Sequence, residues 1–321
     1  MSIRSITLAV ALVSAWAVLA PEQAPSSSYE KGRKVAITID DLPTASVTGN
    51  DIETAERVTR DLIAALRRQK AAAIGFVNER KLQPDGKLDP RRVALLQQWL
   101  DAGLELGNHT FSHPDLHRTP LDEFQRDVLA GERVTRKLVS AAGKELRFFR
   151  HPFLHTGQSI DVKRLLEAFL QRHGYRVAPV TVDNYDYMFA AAYDRAGTRG
   201  DIGEQQKIVS TYLDYMESVV GYYEQQSVTI VGREMAQTLL LHANAINAAT
   251  FDALAARLVA RGYGFVTLEE ALRDPAYSLP DTYVGAGGIT WLHRWALTQG
   301  KRGAVFAGEP IVPDWIERAA R

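Results

Sequence analysis

The amino-acid sequence predicts an α/β protein built on a parallel sheet, either covered on both faces or closed into a barrel. Three observations carry this. From Arg33 onward short apolar runs alternate with amphipathic stretches, the order that right-handed βαβ units produce. The strand candidates KVAITID, AAAIGFV and TLLLH are nearly continuous apolar runs, as strands buried on both sides require. The chain has 321 residues, 46% of them hydrophobic, which supplies an ample core.

The N-terminus stands apart from this pattern. MSIR carries one positive charge and ITLAVALVSAWAVLA none, the signature of a secretory signal peptide. The run is shorter than the roughly 20 residues of a membrane span. The small residues Ala20 and Ala24 are each followed by proline, a poor cleavage context, so residues 1–24 are expected to be a signal peptide or an uncleaved N-terminal anchor. Either implies export, to the periplasm or the exterior. PEQAPSSSYEKG reads as a linker, assigned to residues 25–33 once the leader is set apart.

The alternation then runs in order. KVAITID is a strand, and Asn50 is positioned to cap a helix with Ala55, Val58, Leu62 and Leu66 on one face. AAAIGFV follows as a strand. Val93, Leu96 and Leu100 mark a helix that Gly103 can end. LELGNHT is a strand, and Thr119-Pro120 opens another helix. RFFRHPF is a strand, the helix of Leu165, Leu166, Phe169 and Leu170 ends near Gly174, and YRVAPVTVD and TLLLH are strands. Phe251, Leu254 and Leu258 form a helical face closed by Gly262, and FVTLEEAL completes the pattern. A polar, tyrosine-rich segment from about Asp194 to Glu234 reads as a helical insertion. The expected catalytic domain spans 34–275, with a C-terminal extension over 276–321.

Composition narrows the chemistry. Lys and Arg total 38 and Asp and Glu 38, a formal net charge of zero, so no basic excess points to nucleic acid. There is no cysteine, which excludes thiolate metal sites, thiol nucleophiles and a lipid-modified cysteine. Any metal must be held by His and carboxylate.

Functional residues of such folds gather at the C-terminal ends of the strands. Here the ends carry Asp40-Asp41, His109 with His113, Arg150 with His151 and His155, Asp183 with Asp186, and His242. His109 and His113, four residues apart, can aim both imidazoles at one point. With a carboxylate from another strand end they make a His, His, Asp set suited to zinc that leaves a coordination position open. One of the paired aspartates would bind the metal; the other would be free as a base.

The ordered pieces ITIDD, GNHTFSHPDL, RHPF, DNYDY and LLLH, with FVTLEEAL after the last, resemble the five motifs of the polysaccharide deacetylases. These are the metal-dependent carbohydrate esterases of family 4 that share the chitooligosaccharide deacetylase homology domain. The resemblance runs from about Lys34 to Leu272 and implies a distorted (β/α) barrel. It also implies that Asp41, His109 and His113 hold a divalent metal, usually Zn²⁺, and that Asp40 takes the proton from the attacking water. Arg150 would pair with Asp40 and keep it ionised. The backbone N–H of Phe153 would help bind the oxyanion. His242 would protonate the leaving amine, with Asp186 fixing its tautomer. Three positions depart from the family pattern: Leu42 stands for a glycine and could narrow the groove, Phe153 for a tyrosine, and Tyr187 for a tryptophan that walls the site.

Other candidates read more plainly. His117 is expected as an exposed helix-entry residue, His151 and His155 as surface, hydrogen-bonding or substrate-touching residues, and His293 as core. The tyrosines from Tyr212 to Tyr223 suit a packed helix better than a sugar groove. The function implied is hydrolysis of N-acetyl groups on an amino-sugar glycan, of chitooligosaccharide, peptidoglycan or exopolysaccharide type. The alternatives are a hydrolase of another amide or ester and a non-catalytic glycan-binding relative. The membrane enters only through an uncleaved leader.

Overall fold

The computed structural model describes residues 32–321 apart from 47, 48 and 50. The expected leader, most of the linker and the proposed cap Asn50 therefore lie outside the described residues. Strand β1 (Arg33–Leu42) leads to helix α1 (Ile52–Arg68), whose cap is Asp51, its carboxylate accepting the Thr54 N–H at 2.7 Å. Then come β2 (Ala73–Val77), α2 (Pro90–Asp101) and β3 (Glu105–Asn108). Helices α3 (Leu121–Ala130) and α4 (Thr135–Ala141) precede β4 (Phe148–Phe149), α5 (Ile160–Arg172) and β5 (Arg176–Val177). Helices α6 (Asp186–Thr198) and α7 (Ile202–Val231) fill the segment read as an insertion. The chain ends with β6 (Gln237–His242), α8 (Ala245–Ala260), β7 (Tyr263–Val266), α9 (Leu268–Ala271), α10 (Trp291–Thr298) and α11 (Asp314–Ala319). Among the described residues no helix is long and apolar enough to cross a membrane.

All strand pairs are parallel, in the order β5-β4-β3-β2-β1-β6, with β7 beside the first half of β1. The sheet curls into a distorted barrel, because residues 176–182 touch both of its edges. Arg176 and Ala178 donate to Arg147 and Phe149 at 2.8 Å, and further on Thr181 donates to Thr238 at 3.1 Å. Leu240 then donates to Val182 at 3.0 Å. The expected strands RFFRHPF and YRVAPVTVD shrink to two residues each. Pro152 and Pro179 interrupt them, since proline brings no N–H to a ladder.

Two apolar clusters follow from this closure. The larger lies between strands and helices, with Val35, Ile37 and Ile39 of β1 against Leu62 and Leu66 of α1. The smaller joins alternate residues of the strands, Ala36, Ile74, Phe76 and Phe148, to Leu268 and Ala271 of α9. Because strand side chains alternate, Ala36, Thr38 and Asp40 share one face. Along that face the interior passes from Ala36 through buried Thr38 to buried Asp40. The chain thus grades its barrel from apolar to ionisable toward the C-terminal ends, where water and substrate can reach.

The tyrosines Tyr212, Tyr215, Tyr222 and Tyr223 of α7 are buried, and His293 is buried against Tyr222, whose hydroxyl lies 3.1 Å from its Nε2. These residues serve packing. Leu42 does not narrow a groove either: it is fully buried in the larger cluster, and a Cβ added at Gly75 would stand 2.5 Å from its Cδ2.

Candidate active site

A cavity of about 700 Å³ opens at the C-terminal ends of the strands. Its walls include Asp40, Asp41, His109, His113, Phe153, Tyr187 and His242. Of the residues singled out from the sequence, Arg150 and Asp186 stand behind these walls, fully buried.

Backbone irregularity brings the first group together. Strand alternation would send Asp41 to the face opposite Asp40. A register shift between Ile39 and Leu42 and a left-handed φ of 72° at Asp41 instead aim both at the cavity. A turn does the same after β3: Thr110 N–H donates to Asn108 Oδ1 at 2.7 Å, and His113 N–H to Thr110 Oγ1 at 3.0 Å. Six non-glycine residues among those described have positive φ, and all but Lys70 lie at strand ends: Asp41 in β1, Thr110 and His113 after β3, and Phe153 and Leu154 after β4. Such conformations cost on the order of 1–3 kcal/mol each and cluster where function holds them.

Asp41 Oδ1 lies 3.9 Å from His109 Nε2 and 3.8 Å from His113 Nε2. That oxygen is buried and accepts no hydrogen bond. Nδ1 of His109 is 2.9 Å from the Arg150 carbonyl, so it carries the proton and leaves Nε2 a lone pair. Burial, with His113 beside it, holds His109 well below the ordinary histidine range, and burial also lowers His113. Burial would raise Asp41, but Lys81, His113 and His109 outweigh it and hold the carboxyl low. Two neutral imidazoles and one ionised carboxylate with an orphaned oxygen fit a divalent cation, and the three ligand atoms lie within 4.8 Å of one another.

Asp40 Oδ2 lies 3.8 Å from His109 Nε2 and 3.5 Å from Arg150 Nη1. Arg150 is anchored by Thr38 Oγ1 at 2.8 Å and sits over the Phe76 ring at 4.8 Å. Burial raises the Asp40 carboxyl to about 6 despite Arg150. The guanidinium therefore orients Asp40 without holding it far down. In register with Asp40 on the neighbouring strand is His242, whose Nδ1 is 2.6 Å from Asp186 Oδ1. Burial opposes protonation of His242, but Asp186 prevails and raises it to about 10. Asp186 is fixed in turn by the His242 N–H at 2.8 Å and Asn247 Nδ2 at 2.6 Å.

Phe153, 54% exposed, stands edge-on to His113 at 4.5 Å, and Tyr187 edge-on to His242 at 6.3 Å. Both offer rim surface to a substrate. His151 is buried on the cavity wall with an unpartnered Nδ1, and Asp183, also on the wall, is raised to about 6 by burial.

A second His-Asp group, Asp115, His117 and His155, lies beside the site. His155 Nδ1 bonds Asp115 at 2.6 Å, and both His117 nitrogens are engaged, with the Ala286 carbonyl and the Gly157 N–H at 3.3 Å. The rings stack at 3.8 Å. His117 is thus a cross-brace between loops, not the helix-entry residue anticipated.

Sequence reading missed Lys81, Asn247 and Thr38. Lys81 Nζ is 3.4 Å from Asp41 Oδ2 and donates to the carbonyls of Asp41 and Thr44 at 3.1 Å. Nothing in NERKL marks it. Asn247, five residues after His242 in LLLHANAIN, was the more legible, since an amide just beyond a functional strand end commonly bonds back to it.

Fold and site together define a parallel α/β-barrel protein with a metal-ligand-type cluster at its strand ends. Residues 28–178, just under half of the chain, match the family model described as Polysaccharide deacetylase. Solved structures similar to it include the CE4 family pseudoenzyme from Bacillus anthracis, at 17% identity and a TM-score of 0.48, covering 75% of this chain and 66% of that one. Peptidoglycan deacetylase PdaC from Bacillus subtilis is similar at 21% identity and a TM-score of 0.46, covering 76% and 93%. A family 4 carbohydrate esterase from Streptomyces lividans, in complex with acetate, is similar at 20% identity and 0.44, covering 75% and 96%.

Proposed function

We propose that the protein is an exported N-deacetylase that hydrolyses N-acetyl groups of an amino-sugar glycan with the help of a divalent cation, Zn²⁺ being the best chemical fit. The observation that carries this reading is the orphaned Asp41 Oδ1 facing two imidazole nitrogens at 3.8 and 3.9 Å, with a base candidate and an acid candidate in register beside it.

Asp41, His109 and His113 would hold the cation, which supplies Lewis acidity when bound. The chain's own groups do the rest. Asp40, oriented by Arg150, accepts a proton from the attacking water; a carboxyl raised to about 6 is a stronger base than an ordinary aspartate and is still ionised at neutral pH. The Phe153 N–H is the donor that the family resemblance assigns to the developing oxyanion, a role worth roughly 2.7–4 kcal/mol. His242, kept protonated by Asp186, delivers a proton to the departing amine nitrogen, without which an amide does not cleave. Tyr187 and Phe153 supply rim surface on which a sugar can lie. The net charge of zero gives no attraction to nucleic acid, and the leader read from residues 1–24 supports export.

The test is acetate release from N-acetylated chitin oligomers, peptidoglycan fragments and aryl acetates, with metal-loaded and chelated protein. Turnover of an N-acetyl glycan, lost on chelation, supports the reading. Turnover of aryl acetates alone would make the protein a general esterase, and tight glycan binding without hydrolysis would make it a glycan-binding relative.

A further inference from the structure

Resting on that hydrolytic reading, we infer that the C-terminal extension forms part of the catalytic apparatus, with Gly288 and Arg294 as positioning residues for the loop that carries Phe153. This segment lies beyond the residues matched by the family model. Phe153 and Leu154 have φ of 56° and 54°, two consecutive left-handed non-glycine residues, and such a pair relaxes unless something outside holds it.

The extension supplies the hold at several points. The Arg294 side chain is buried, and its Nη1 reaches the Leu154 carbonyl at 3.5 Å while Nη2 donates to Thr156 Oγ1. The guanidinium is fixed from behind, its Nε bonding Asp281 Oδ2 at 2.8 Å, and that carboxylate also takes Lys163 at 2.6 Å. Trp291 N–H, at the start of α10, donates to the Val180 carbonyl at 2.8 Å and ties the extension to the barrel wall. Ala286 meets His117, whose other nitrogen accepts the Gly157 N–H.

Gly288 makes the closest approach. A Cβ there would stand 1.7 Å from the Phe153 carbonyl oxygen and 3.3 Å from His155 Cδ2. The obstacle is backbone, so any side chain at 288 must push the loop. The carbonyl that touches Gly288 and the N–H proposed to bind the oxyanion flank the same Phe153 Cα, on adjacent peptide planes, so a displacement of the one turns the other. The proposed metal ligands come from the ends of β1 and β3, and among the described residues their only ring contact with this loop is His113 edge-on to Phe153 at 4.5 Å.

Gly288→Ala tests the inference, with Gly287→Ala as its control, because a Cβ at 287 meets only ordinary contacts at 3.8 Å. Gly288→Ala should lower kcat at least about ten-fold at a temperature where it is fully folded, as misplacement of a positioned group does, with kcat falling by more than KM rises and metal stoichiometry near wild type. Its melting temperature falls, because the added Cβ meets backbone at 1.7 Å. Backbone amide exchange over 153–157, followed by mass spectrometry, should speed up in Gly288→Ala and not in Gly287→Ala. Equal kcat and equal exchange in the two variants would overturn the inference. Should Gly288→Ala fail to fold, Thr156→Val removes one anchor of the Arg294 fork and must show the same kcat loss and faster exchange. If the wild type turns over no acyl substrate, the hydrolytic reading fails while the exchange comparison still decides whether the extension positions the loop.

Discussion

His242 Nδ1 and Asp186 Oδ1 stand 2.6 Å apart with the carboxylate fully buried, and this pairing sets the charge of the imidazole that faces the cavity. Asp186→Asn keeps the shape and removes the charge. The His242 pKa then falls from about 10 toward the ordinary histidine range, and the alkaline limb of the kcat–pH profile moves down with it. At pH 8 kcat should drop on the order of 10²-fold, within the range of lost general acid catalysis. An unmoved alkaline limb would remove His242 from the acid role.

The wild-type profile should be bell-shaped. The base must be ionised, so activity rises as pH climbs through the Asp40 value of about 6. The acid must be protonated, so activity falls as pH passes the His242 value of about 10. A bound cation favours the deprotonated form of both and pulls each limb downward, so these values are upper bounds. A kcat with neither an acid nor an alkaline limb over the whole range in which the protein stays folded would contradict both assignments.

Asp40 and His109 should separate chemistry from metal binding. Asp40→Asn is expected to lower kcat by at least about 10²-fold with metal stoichiometry nearly unchanged, since Asp41 Oδ1 and the two imidazoles remain. His109→Ala should lose both, because it removes a ligand whose Nδ1 is already held by the Arg150 carbonyl at 2.9 Å. Metal analysis of dialysed protein beside the acetate assay reads the two effects independently.

Buried His151 makes stability pH-dependent. Burial, with Arg294, Lys163 and Arg150 nearby, lowers it to about 3, whereas in the unfolded chain it titrates near 6.5. The unfolded state therefore binds the extra proton between these values. The contribution is fully present above about pH 6.5 and is lost as pH falls toward 3, with a limiting slope of about 1.4 kcal/mol per pH unit. Urea denaturation at pH 7 and pH 5 should show a smaller loss for His151→Leu than for wild type; equal losses would mean the imidazole is not held neutral by the fold.

Much of this was legible in one dimension, for a physical reason. Periodicity and capping are local, so the alternation from KVAITID to FVTLEEAL marked the barrel, and Gly103 and Gly262 end their helices with φ of 81° and 87°. The ionisable residues at the strand ends could be listed before any coordinate was known, because a parallel α/β fold delivers them to one edge. What the chain order could not express was orientation. Whether Asp41 faces Asp40 or turns away depends on a bulge and a left-handed residue, and whether Arg150 holds Asp40 low depends on the balance between desolvation and charge at 3.5 Å. Lys81, Thr38 and Gly288 matter only through neighbours far along the chain. Type and sequence order are written residue by residue; register, desolvation and close approach belong to pairs, and only the folded chain assigns the pairs.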